Sequence, residues 1–258
     1  SRLLQPENRG RALARLQRRE PHPNYTSDAT PPMPTVNVTN PPPRHQRTWR
    51  STTAPGDEAQ FDFCDLSSWA VRFGWNMPLV AFGMILSWSR FRVWWFTTSE
   101  DRHHTFEGAV RFFDQVGGVP AVCRTDRMGA LGRSQGRRFE LHPPTVGFAA
   151  HHGTKITSCQ AGDAKRKGKV ERPFRQLQET FLPEVEADGV PVDLADLNRR
   201  AEVWLAERVH GIEPRTTGET PAARLAAERD FLAPLPRVRF DTDYVEARRV
   251  HNACPFVA

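Results

Sequence analysis

Cysteine is scarce in this 258-residue chain, and the four present (Cys64, Cys123, Cys159 and Cys254) lie far apart. No CxxC metal knuckle forms, and with no signal peptide at the start no disulfide framework is indicated. Long apolar runs are also missing. The longest, Leu79 to Leu86, falls far short of the roughly 20 residues that a membrane span needs. There are no internal repeats, and no GxxxxGK phosphate loop, so any use of ATP belongs to a partner. What is present excludes a wholly disordered chain: 38% of residues are hydrophobic and seven are tryptophan. The length suits one large or two modest domains with a real core. The expectation is a soluble intracellular (cytoplasmic) protein.

The formal net charge is +6, and it is unevenly placed. Residues 1–50 carry nine Arg against three acids, whereas 51–258 carry 27 cations and 27 acids. Inside that neutral remainder, 124–175 holds twelve cations and four acids. Two basic regions on a balanced body point to a polyanionic partner, most often nucleic acid; a solvated basic surface is the ordinary alternative.

Residues 1–50 also hold nine of the 22 prolines, which reads as a linker or extended arm. The chain opens on Ser1, and the expectation is a fragment or processed chain preceded by another domain. From Ala54 the pattern changes. Residues 59–64 alternate apolar and polar positions, 79–86 form a continuous apolar run, and 91–97 follow after a short turn, giving an antiparallel meander of three strands. His103–Val116 has helical spacing and stops at Gly117. Val119–Arg124 is a strand, the polar stretch through Arg138 a loop, Pro143–His152 a helix and Thr154–Thr157 a strand. Ala164–Leu182 is a long helix containing Glu171. Such an order implies an α/β fold with a mixed sheet and helices on both faces. The expected division is an arm at 1–50, a core at 51–185, a helical extension at 186–236 and an incomplete β-module at 237–258.

Three acids stand out. Asp62 occupies the middle of a strand, where propensity disfavours an acid. Asp126 follows the end of the fourth strand, and Glu171 sits in a basic helical run. An acid in mid-strand and one at a neighbouring strand's end share a cation, and a helix laid across them adds a third carboxylate. All-oxygen ligands suit Mg²⁺ or Mn²⁺, and two such ions serve an in-line displacement at phosphorus. Singly, each acid also has an ordinary reading as an edge, turn or helix-surface residue. Lys165, Arg166, Lys167, Lys169, Arg172 and Arg175 surround Glu171 and suit DNA phosphates, or make a solvated helix face. The pairs His103-His104 and His151-His152 read as surface or cap residues, and Trp94-Trp95 as packing.

The stretch Ala54-Pro55-Gly56-Asp57-Glu58-Ala59-Gln60-Phe61-Asp62-Phe63 resembles the "PGEQAQVDW" opening of IstA-type insertion-sequence transposases. Residues 112–120 are similar to that family's "FFGGVP" segment, 167–172 match its "KGKVER", and 216–225 resemble "TTGETPAERL". The resemblance spans about residues 45–250. It implies an RNase H-like core with a five-stranded mixed sheet and an Asp-Asp-Glu triad of Asp62, Asp126 and Glu171 binding two Mg²⁺ or Mn²⁺ ions. It further implies cutting and joining of transposon-end DNA by a homo-oligomer, an upstream helix-turn-helix domain, an IstB-type AAA+ ATPase partner and a nucleoid location. Several positions depart from the family pattern. Thr125 and Arg127 flank the second acid in place of an aromatic and Asn, Phe63-Cys64 replaces Trp-Gly, and the lead-in to Lys167 has lost its proline. These departures leave a second reading open, an inactive remnant that only binds DNA, and the fold alone leaves a third, a nuclease without strand transfer.

Overall fold

Alternation of apolar and polar residues places the first strand, β1 (Glu58–Asp65), which sends Ala59 and Phe61 into one buried cluster and Cys64 toward another. The computed structural model describes residues 53–136, 138–158 and 172–243, all within one compact unit covering residues 50–258. Glu171, Lys165, Arg166, Lys167 and Lys169 lie outside the described residues, as do the Pro/Arg-rich arm at 1–50 and the chain after 243.

A short helix, α1 (Ser67–Arg72), not expected from the sequence, buries Trp69 and Ala70 before the chain returns as β2 (Val80–Leu86). Every residue of β2 is buried, because the strand is covered on both faces. A turn at 87–90 leads into β3 (Arg92–Thr97), and Arg90 in that turn has φ 67°, a left-handed conformation that is rare for a side chain of its size. Next comes α2 (Arg102–Val116), with Asp101 capping its start and Gly117 at φ 80° ending it. The apolar stripe behind its helical spacing, Phe106, Ala109, Val110, Phe113 and Val116, is buried.

The fourth strand, β4 (Val122–Thr125), starts three residues later than expected. Pro120 has no N–H to give a ladder, and Val119 pairs instead with Ala233 through reciprocal bonds of 2.8 and 2.9 Å. The expected loop after Asp126 contains a hairpin, β5 (Gly132–Gln135) and β6 (Arg138–Leu141). It closes because Gly132 lets the strands approach: a Cβ there would sit 2.4 Å from the Glu140 carbonyl. Glu140 also takes bonds from Arg133 and Gln135. Then follow α3 (Pro143–His152) and β7 (Lys155–Ser158).

The five-stranded sheet has the order β3-β2-β1-β4-β7. The β3-β2-β1 part is the antiparallel meander, while β4 and β7 join in parallel. One face packs on α2 and α3 through Phe82, Phe106, Phe113 and Phe148. The other packs on the helical segment that begins, within the described residues, at 172. This segment passes through a π-helical turn at Leu177–Phe181 into α4 (Leu182–Ala187). Pro183 explains the π turn, since its ring carries no N–H and crowds the carbonyl one turn earlier. Two more helices, α5 (Leu194–Leu205) and α6 (Pro221–Glu228), start at Asp193 and Thr220, whose side chains accept the Asp196 and Ala223 N–H groups. Among the described residues no helix is long and apolar enough to cross a membrane.

The segment after α5 is built into the core. Glu228 is fully buried and accepts the N–H groups of Gly56 at 2.9 Å and Ser89 at 3.1 Å. It thereby ties α6 to the start of β1 and to the β2–β3 turn. Residues 238–243 carry no strand; Phe240 packs on Phe106 and Phe148, and Arg239 pairs with Asp114 at 2.8 Å.

Candidate active site

The register of the sheet relates two of the three acids. β1 and β4 run parallel with Gln60 opposite Arg124, an offset of 64 residues. Asp62 and Asp126 are separated by the same 64, and each lies two residues beyond that last pair, in step with Glu58, Gln60 and Arg124 along the alternation of the strands. Asp62 is half-buried and also accepts the Phe63 N–H at 2.9 Å. Asp126 lies just past the end of β4, half-buried, with its carbonyl taking the Met128 N–H at 2.8 Å.

On the N-terminal side of the acids, an ion pair locks these strands. Arg124 Nε donates to Glu58 Oε2 at 2.8 Å, and Gln60 Nε2 and Ser87 Oγ donate to Glu58 Oε1 at 2.8 and 2.9 Å. Burial alone would raise the Glu58 carboxyl, but these hydrogen bonds and the Arg124 charge hold it below its ordinary value. Such a satisfied cross-strand network fixes register. Glu58 and Arg124 were not singled out from the sequence; the signal available was a second in-strand acid at spacing i, i+4 from Asp62, on the same face.

Cys64 reports on the same surface. Burial, then the carboxylates of Asp65 and Asp62, push its thiol up to about 11, so it is neutral and inert as a nucleophile near neutral pH. Gln178 Nε2 donates to Cys64 Sγ at 3.3 Å.

The helical segment from 172 crosses this face at a point marked by glycine. Gly83 is the register partner of Asp62, and a Cβ on it would sit 2.7 Å from the Phe174 ring. Phe174 therefore rests on bare backbone beside Asp62, and Gln176 accepts a hydrogen bond from Arg92 of β3. Positions 174 and 178 share one helical face by their i, i+4 spacing. Arg172 and Arg175 are exposed at the start of the described helix. Among the described residues, no three His, Cys, Asp or Glu side chains gather at metal-ligand distance; Asp62 and Asp126 are the candidate ligands there. Arg127, beside the second acid, donates from Nη1 to the Gly136 carbonyl of the β5–β6 turn at 2.9 Å.

The histidine pairs do structural work. His104 Nδ1 meets the capping Asp101 at 2.9 Å, His152 is buried against Phe148, and His151 Nε2 donates to the Val238 carbonyl. Trp94 stacks on Trp204 in the core, and Trp95 packs beneath Arg111.

No family model matches the chain. Over 211 residues it is 31% identical to a protein named as the transposase for insertion sequence element IS5376 of Geobacillus stearothermophilus, covering 79% of this chain and 50% of that protein. Over 152 residues it is 31% identical to the transposase for IS21 of Pseudomonas aeruginosa, covering 58% and 38%. The transposase for IS232 of Bacillus thuringiensis subsp. berliner is 27% identical over 199 residues, covering 76% and 45%. The chain thus spans about half the length of the curated relatives it matches. Among solved structures, a simian T-cell lymphotropic virus intasome in complex with PP2A regulatory subunit B56 gamma superposes with TM-score 0.54 at 14% identity, over 72% of this chain and 59% of that one. The HTLV-2 integrase catalytic core domain in complex with magnesium (trimeric form) gives 0.50 at 14% identity, over 66% and 95%. The shared fold is that of an integrase catalytic core, the RNase H-like mixed sheet.

Proposed function

We propose, for a chain that belongs with the IstA-type insertion-sequence transposases and has the fold of an integrase catalytic core, that it cleaves and joins DNA strands through Asp62, Asp126 and Glu171. The observation that carries this reading is the offset of 64 residues that Asp62 and Asp126 share with the β1–β4 register, with Phe174 seated on Gly83, the register partner of Asp62.

The donor set is all oxygen and open at the sheet end, which fits hard divalent cations. Asp62, Asp126 and Glu171 would hold two Mg²⁺ or Mn²⁺ ions, and such ions supply activation of the attacking oxygen and stabilisation of the leaving one. The chain's own contribution is placement. The Glu58–Arg124 pair holds the two strands in register, and the glycine contact holds the helix. Lys165, Arg166, Lys167, Lys169, Arg172 and Arg175 position the DNA backbone without reading its sequence.

On this reading the partners are transposon-end and target DNA, further copies of the chain assembled on that DNA, and a helper ATPase of the IstB type, in the bacterial cytoplasm at the nucleoid. The test is an assay of a cognate DNA end with Mg²⁺ or Mn²⁺, scoring both nicked and joined products. The unaltered chain yields both and Asp62→Asn neither, while DNA binding persists. Nicks without joining would make it a nuclease, and full activity in Asp62→Asn would remove Asp62 from the reaction.

A further inference from the structure

We propose that the β5–β6 hairpin is a DNA-backbone clamp beside Asp126, with Arg133 and Arg138 on its outward face holding phosphates of the bound strand. The inference rests on the reading of the chain as a DNA-cutting core.

The hairpin has two unlike faces. Opposed residues of an antiparallel pair project to the same side, and the register sets Gly132 against Leu141, Ser134 against Phe139, Arg133 against Glu140 and Gln135 against Arg138. Gly132 is buried and Leu141 packs on the core cluster that contains Phe148 and Ile156. The first two pairs therefore face the domain. Arg133, Gln135, Arg138 and Glu140 make up the opposite face, and all four are exposed.

Strands of four residues do not stand alone, and this hairpin is fastened at both ends. At its base the Leu131 carbonyl accepts the His142 N–H and the Thr145 hydroxyl, each at 2.9 Å. At its turn Gly136, with φ 58°, offers its carbonyl to Arg127 Nη1 at 2.9 Å. Arg127 directly follows Asp126, so the turn is tied to the residue adjoining the second acid.

The outward face carries more positive charge than it neutralises. Its one acid, Glu140, accepts Arg133 Nε and Nη2 at 3.2 and 3.1 Å and Gln135 Nε2 at 2.7 Å, all on Oε2. Arg138, opposite Gln135, makes no ion pair among the described residues. An exposed pair such as Arg133–Glu140 contributes little to stability, so Arg133 can turn from the carboxylate to a phosphate at small cost. The two arginines are diagonal neighbours across the strands, about 7–8 Å apart. That is close to two steps of about 3.4 Å per nucleotide along one DNA strand, and each guanidinium fork matches paired phosphate oxygens. The tie beside Asp126 places this charge next to the acid proposed for the phosphodiester chemistry, which favours DNA over an acidic protein surface.

The experiment measures binding of the 258-residue chain to short DNA duplexes by fluorescence anisotropy, without divalent metal, between 50 and 200 mM salt. Arg138→Gln is expected to weaken binding severalfold and to make the slope of log Kd against log[salt] shallower by about one, the loss of one phosphate contact. Adding Arg133→Gln doubles the change in slope, while Arg138→Lys keeps most of it. Arg208→Gln, which takes the same charge from the segment after α5, is expected to leave the slope unaltered. A transposon-end duplex and an unrelated one should lose affinity alike. Loss on the end sequence alone would mean base reading and overturn the clamp. If the Arg138→Gln and double variants bind like the unaltered chain, or Arg208→Gln loses as much, the clamp is wrong and the DNA-cutting reading stands. If the unaltered chain shows no salt-dependent DNA binding, the clamp and that reading fall together.

Discussion

Replacing Gly83 with alanine tests how the helix over the sheet is held at the acid pair. The new Cβ would lie 2.7 Å from Phe174 Cζ and 2.8 Å from Cε1, whereas carbon atoms settle at about 3.5–4.0 Å. The ring has to withdraw by roughly 1 Å. It has little room to do so alone, because the ring packs against the buried cluster that holds Trp94 and Leu177. Gln176 and Gln178 are meanwhile tied to Arg92 and Cys64. The displacement passes to the helix. Overpacking of this kind costs about 1–3 kcal/mol, which leaves a domain of about 5–15 kcal/mol folded at 25 °C. A shift of about 1 Å in a catalytic group, however, costs about a hundredfold in rate. Gly83→Ala is therefore expected to slow metal-dependent nicking about a hundredfold while the protein still melts cooperatively, a few degrees lower. Adding Phe174→Leu, which shortens the obstructing side chain, should return most of the rate. Nicking by Gly83→Ala at the unaltered rate, or no rescue by the second change, would refute the reasoning.

Glu228→Ala strands two backbone N–H groups, those of Gly56 and Ser89. Each buried donor left without a partner costs about 1–3 kcal/mol, so urea unfolding should show a loss of about 2–6 kcal/mol, with Glu228→Gln milder. His210 is buried, stacked on Phe91, and donates from Nε2 to the Arg92 carbonyl. Burial foremost, with the Arg92 charge, pulls it down from 6.5 to about 4 in the folded protein. The unfolded chain therefore takes up that proton first. Stability should fall as pH drops from about 6.5 to about 4, by up to about 1.4 kcal/mol per pH unit. Urea unfolding across that range should show this part of the slope missing in His210→Gln.

The parts of the fold written in local pattern were legible in the sequence. Alternation placed β1, the unbroken apolar run placed β2, and the 3.6-residue stripe with Gly117 placed α2 and its end. Where the outcome depended on tertiary contact, the pattern was silent. The hairpin of β5 and β6 looked like a polar loop, because only Phe139 and Leu141 alternate toward the core and the close approach at Gly132 is a property of the partner strand. The helix α1 has six residues, too few for a period to declare itself. Glu228 reads as one more surface acid on an amphipathic helix, and nothing local foretells that two distant N–H groups close over it. The acid pair was legible as a spacing, but its meaning came from the sheet: 64 residues matters because β1 and β4 pair at that same offset. Likewise the glycine in β2 acquired its role only once Phe174 was seen resting on it.

The most direct measurement of the central claim is a calorimetric titration of Mn²⁺ into the unaltered chain and into Asp62→Asn, Asp126→Asn and Glu171→Gln. The account predicts saturable binding to the unaltered protein that each substitution weakens or abolishes, with melting temperatures retained. Saturable binding of equal strength in all four proteins, or none in the unaltered chain, would contradict it.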